Sequence, residues 1–154
     1  MHRLLLAAVA GATAGSAAIA LTASGSPAPR ATTLRFDEKA TFFKVIDNPP
    51  VDTSQAPESG DTVLFRADLV KGTKKIGTDQ GFCTVLDAPK AQCTATLLLS
   101  GGHITGADAF DFSTNHPQPF ALIGGTGRYQ GVSGVARIAQ VTPALAHWVV
   151  TLKR

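Results

Sequence analysis

Three observations predict an all-β fold, a small antiparallel barrel or sandwich. Short runs rich in Val, Ile, Thr and Phe recur along the chain, separated by Gly, Pro, Asn and Asp. Within the runs, side chains alternate: Val63, Phe65, Ala67 and Leu69 share one side of TVLFRADLV, while Arg66 and Asp68 share the other, as in a strand with one buried face. No segment combines the length and the 3.6-residue period of a substantial helix.

The first 31 residues stand apart. In MHRLLLAAVAGATAGSAAIALTASGSPAPRA, His2 and Arg3 precede a small apolar segment, with small-residue sites at Ala18-Ile19-Ala20 and near Ala23 and a Pro-rich exit. This is the build of a secretory signal peptide, expected over residues 1–31. An uncleaved membrane anchor is the competing reading, disfavoured by the Gly, Ser and Thr content. The mature chain is expected to start between Leu21 and Thr32. Residues 32–154 then form one domain of a secreted protein with no stable membrane span after cleavage.

Strand candidates follow in order: TLRFDEKATFFKVID, then after the Pro-rich loop NPPVDTSQAPESG, TVLFRADLV, GFCTVL, QCTATLLLS, HITGADAFDF, PFALIGG, VSGVARIAQV and AHWVVTL. Seven or eight such strands in about 120 residues suit a small barrel or sandwich. KGTKK, with Lys71, Lys74 and Lys75, reads as a solvated hairpin loop.

In an oxidising compartment Cys83 and Cys93 can pair. A turn at Asp87-Ala88-Pro89-Lys90 separates GFCTVL from CTATLLL, and hairpin pairing centred on Ala88 sets the two cysteines opposite each other on one face. A structural disulfide is therefore expected. A metal or redox pair lacks further ligands and the CxxC spacing.

FALIGGTGRYQG, Phe120 to Gly131, looks at first like a nucleotide-binding turn. Such a site needs a helix after the turn and an acidic residue about 20 positions on. The following VSGVARIAQVTPALAHWVVTL reads as two strands, and no Asp or Glu occurs after Asp111. The glycines instead permit a tight turn or bulge between strands.

Other chemistry is sparse. Removal of Arg3, and of Arg30 if cleavage falls beyond it, leaves 12 or 13 Lys and Arg against 11 Asp and Glu, a nearly neutral protein without the basic patch of a nucleic-acid binder. Gly131-Val132-Ser133-Gly134-Val135 misses the last glycine of a nucleophile elbow. His103, Asp108, Asp111 and His116 match no metal-ligand spacing, so no metal is expected. His147 reads as an outward or hydrogen-bonded sheet residue, and Trp148 and Phe110 as core.

The segments SGDTVLFRADLVKGTKKIGTDQGFCTVLDAP, CTATLLLSGGHITG and FALIGGTGRYQGVSGVARIAQVTPALAHWVVTLKR, in this order, resemble the allene oxide cyclase barrel family, related to the dirigent proteins of plants. The most specific part runs from Ala121 to Leu152: the GGTG turn, Tyr129, Gly131 and Gly134, a basic and aliphatic strand, a Pro turn and an aromatic-bearing final strand. The resemblance implies an eight-stranded antiparallel barrel of calycin type with an apolar interior, in some members a homo-oligomer, here a trimer or dimer. It implies a small hydrophobic partner molecule and, if there is turnover, an isomerase or stereochemical guide that works without a cofactor. Phe65, Cys83, Cys93 and Phe110 fall at positions resembling the cavity lining of the plant cyclases. Ala67 stands where those cyclases have a ligand-binding asparagine, and their first-strand glutamate corresponds here to Lys44 or Asp47. The catalytic residues stay unassigned. A non-catalytic binding protein and a barrel packed shut remain the alternatives.

Overall fold

The structure, a computed structural model, describes residues 31–48 and 56–154. The expected leader lies outside the described residues except for its last position, Ala31. Eight strands are present: β1 (Thr32–Ile46), β2 (Thr62–Lys71), β3 (Lys74–Asp87), β4 (Lys90–Leu99), β5 (Gly102–Asp111), β6 (Gln118–Gly125), β7 (Ser133–Thr142) and β8 (Leu145–Lys153). Each pairs antiparallel with its neighbour in sequence, and β8 returns to β1, so the sheet closes into a barrel. Closure leaves no end strand to cap and explains why no covering helix is needed. Among the described residues the sole helical element is a 3₁₀ turn, Gly127–Tyr129, and no helix is long and apolar enough to cross a membrane.

Alternation builds the core. In β4, Ala91, Cys93, Ala95 and Leu97 are buried, and in β8, Ala146, Trp148, Val150 and Leu152. Phe36 stacks on Trp148 with ring centroids 5.9 Å apart, and Phe120 meets the same indole edge-on at 6.3 Å. The third strand is longer than GFCTVL suggests. Gly72, at φ +62°, reverses the chain, so that Lys71 pairs with Lys74 and Lys75 belongs to β3 rather than to a loop.

The two ends of the barrel differ. At one end, FALIGGTGRYQG leaves β6 and crosses the opening as the 3₁₀ turn, burying Tyr129 and Val132. Gly127 makes this possible: it has φ +58°, and a Cβ there would sit 2.2 Å from the Gly101 carbonyl oxygen. Arg128 caps the plug from outside, 4.9 Å over the Tyr129 ring and 2.6 Å from its hydroxyl.

The other end carries the β1–β2, β3–β4, β5–β6 and β7–β8 connections. Here β1 outruns β8, since their pairing ends at Lys39 and Leu145, and a bulge between Ala40 and Phe42 bends the rest of β1 along β2 alone. Asp61 closes the neck of the β1–β2 connection by accepting the backbone N–H groups of Asn48 at 3.1 Å and Glu58 at 2.8 Å.

Candidate functional site

A cavity of about 480 Å³ enters the barrel from this second end. Its walls are supplied by inward side chains of the alternating strands, including Val63, Phe65, Ala95, Phe110, Phe120 and Trp148. The width comes from small residues. Gly81 faces Phe65 across β2 and β3, and a Cβ on Gly81 would fall 2.1 Å from the Thr94 carbonyl oxygen and 2.6 Å from Phe65 Cζ. Only hydrogen at that position leaves room for the phenyl ring where it sits.

Cys83 and Cys93 are register partners, joined by a disulfide with Cα atoms 4.0 Å apart, and both line the cavity. The turn at Ala88 and Pro89 places them so, with one extra residue in β3 between Val85 and Asp87. Phe65 and Phe110 also line the cavity. Ala67 differs. It faces the interior between Ala40 and Asp79 but does not line the cavity.

The mouth is aromatic. Phe42, Phe43 and Phe112 line it while remaining 47 %, 57 % and 40 % exposed, and Phe110 packs edge-on against Phe112 at 5.6 Å. Rings that stay exposed at an opening keep apolar surface available for an entering molecule.

Two carboxyl groups interrupt the apolar lining. Glu38 Oε2 accepts the indole N–H of Trp148 at 2.5 Å. Its pKa is raised, burial outweighing the hydrogen bond from Trp148 that lowers it. Asp79, 0 % exposed, has no hydrogen-bond partner on either oxygen among the described residues. Burial pushes its carboxyl well above the ordinary aspartate range, and repulsion from Glu38 adds to this. The Gln80 N–H offsets part of the rise but falls short of regular hydrogen-bond geometry. Ala67, opposite Asp79, has no side-chain donor to offer the acid.

The carboxyl that β1 sends into the cavity wall is Glu38, and neither Lys44 nor Asp47 lines the cavity. Phe36, Glu38 and Ala40 point inward, but the bulge shifts the phase, so Phe43 and Val45 take over and Lys44 is turned out to solvent. The alternation Phe36-x-Glu38-x-Ala40 is the signal that reveals it. Asp79 shares its phase with Gly81, Cys83 and Val85, a pattern visible once β3 is extended back to Lys74.

The remaining polar candidates do other work. Asp108 accepts the Ala121 N–H at 3.0 Å, Asp111 accepts the Ser113 N–H and hydroxyl, and His147 Nδ1 meets Asp37 at 2.7 Å on the outer wall. Among the described residues, no three His, Cys, Asp or Glu side chains converge as a metal site.

A closed eight-stranded barrel, plugged at one end and hollow toward the other, belongs to the class of small barrels that can hold one molecule inside. The model of the allene oxide cyclase barrel like domain matches residues 39–150, and the chain belongs to that family. No functionally curated relative matches it in sequence. Among solved structures, a pyocyanin demethylase is similar at TM-score 0.68 and 25 % identity, over 79 % of this chain and 99 % of that one. A pterocarpan synthase dirigent protein superposes at TM-score 0.70 with 16 % identity, over 84 % and 87 % of the two chains. A Diels-Alderase from Streptomyces koyangensis does so at 0.65 with 23 % identity, over 86 % and 71 %.

Proposed function

We propose that this protein is an exported, cofactor-independent isomerase or stereochemical guide that confines one small hydrophobic molecule and favours its cyclisation or a single stereochemical outcome. The observation that carries this reading is the cavity: about 480 Å³, entered at one end through exposed phenyl rings and lined chiefly by apolar side chains. That volume suits a small organic ligand. Holding a flexible molecule in one near-attack shape, away from water, lowers a barrier without a strong nucleophile. The names of the similar structures, a demethylase of pyocyanin, a pterocarpan synthase and a Diels-Alderase, support a small-molecule substrate. The disulfide in the cavity wall supports an oxidising compartment and hence export of residues 32–154.

The test is to incubate the protein with a hydrophobic metabolite extract and follow each component by chiral chromatography and mass spectrometry. Conversion of one component, lost on Phe65→Ala, is expected. A component that is retained by the protein yet never changes would assign a carrier role instead.

A further inference from the structure

We propose that Asp79 binds the ligand directly, donating a hydrogen bond to the carbonyl-type oxygen or ring nitrogen of an uncharged, conjugated molecule lodged in the cavity. This inference rests on the confinement reading above and narrows its substrate class. Three sets of observations lead to it. Asp79 lines the cavity, is fully buried, and leaves both oxygens without a partner among the described residues. An orphaned polar group in an apolar interior is a standing cost that native structures retain where a ligand completes the pairing. The neighbours that could have satisfied it do not: Ala67 and Leu97 flank it in the sheet, and the one carboxyl facing it from β1, Glu38, is already engaged by Trp148. Finally, among the described residues the charged groups lining the cavity are Glu38 and Asp79 inside and Arg66 and Asp111 toward the mouth, so none of them places a cation beside Asp79.

That arrangement decides the ligand's polarity. A carboxylate head beside Asp79 and Glu38 would be desolvated with no cation to meet it, which is strongly unfavourable. A neutral acceptor suffers no such loss and takes the proton that Asp79 retains because burial raises its pKa. The O–H bond stays intact and no proton is transferred. The hydrogen bond draws electron density toward the acceptor atom, which polarises a conjugated system for ring closure while the apolar walls fix its shape.

The probe is 6-propionyl-2-dimethylaminonaphthalene, a neutral ketone whose emission moves to the red when its carbonyl accepts a hydrogen bond. Its companion is 6-dimethylamino-2-naphthoate, the same ring system with a carboxylate. Wild-type protein at neutral pH should bind the ketone with red-shifted emission and the carboxylate at least about tenfold more weakly, since an unpaired buried charge is costly. Asp79→Leu should lose the red shift, and Asp79→Asn, whose amide still donates, should keep it. As pH rises through the elevated pKa of Asp79, the wild type should lose the shift and Asp79→Asn should not. Glu38→Gln should move that transition to lower pH, because Glu38 is one of the groups holding it up. Ketone binding that is equal in emission and affinity for wild type and Asp79→Leu overturns this inference while leaving the cavity reading intact. Preference for the carboxylate overturns it as well. Failure of both probes to bind the wild type overturns the two together.

Discussion

Replacing Asp79 by leucine should stabilise the barrel. The carboxyl is buried without a partner, and an unsatisfied polar group of this kind costs about 1–3 kcal/mol even when neutral. Leucine removes that cost, and the added volume has the cavity to enter and Leu97 beside it, so overpacking is not expected. The gain should be about 1–3 kcal/mol below the unfolded pKa, where the acid is neutral in both states, and larger at neutral pH, with very roughly 4 °C in Tm for each kcal/mol in a domain of this size. Its pH dependence follows from the direction of the shift. A carboxyl whose folded pKa is raised stays protonated longer in the folded than in the unfolded state, so its stabilising contribution is complete below the unfolded pKa and is lost as pH rises through the folded one. The advantage of Asp79→Leu over wild type should therefore grow with pH across that interval. Urea unfolding at a series of pH values, read by the fluorescence of Trp148, the single tryptophan, measures it directly. A variant less stable than wild type, or a gain that does not change with pH, would refute the claim that Asp79 is an uncompensated buried acid.

Three other outcomes are expected. Ala67→Asn places an amide across from Asp79, within reach of its oxygens, and should lower the pKa of that acid, moving the stability transition just described toward lower pH. The double change Cys83→Ser and Cys93→Ser should cost about 2–3 kcal/mol by releasing the short loop, with intact mass of the parent protein showing no free thiol. Phe65→Ala should destabilise by less than the roughly 3–5 kcal/mol of a fully buried phenylalanine, since this ring already borders open space, while weakening binding of a hydrophobic probe.

Much of the barrel was legible in the sequence because burial of one strand face writes a two-residue period into the chain. Seven of the eight strand segments fell close to their observed positions, the third was too short by the seven residues from Lys74 to Gln80, and the disulfide followed from hairpin symmetry about Ala88. The candidate site was less legible, for two physical reasons. The β1 bulge switches which residues face inward, from Phe36, Glu38 and Ala40 to Phe43 and Val45, so no single alternation through Thr41 singles out Glu38. Asp79 was hidden because a carboxylate in a strand ordinarily marks a solvent face, and only the closed barrel shows that its side of β3 is enclosed. GGTG was recognisable as a barrel signature, but its use as the plug opposite the mouth depends on Gly101 and Tyr129 meeting it in space.

The central claim is that the barrel holds one small hydrophobic molecule, and native mass spectrometry of the purified protein tests it most directly. After exposure to a hydrophobic metabolite extract, wild type should carry a single small adduct per chain. Ala95→Phe, which sends a ring from the wall into the cavity, should fold and carry none. Wild-type protein that emerges without an adduct, or an adduct unaffected by filling the cavity, would contradict the account.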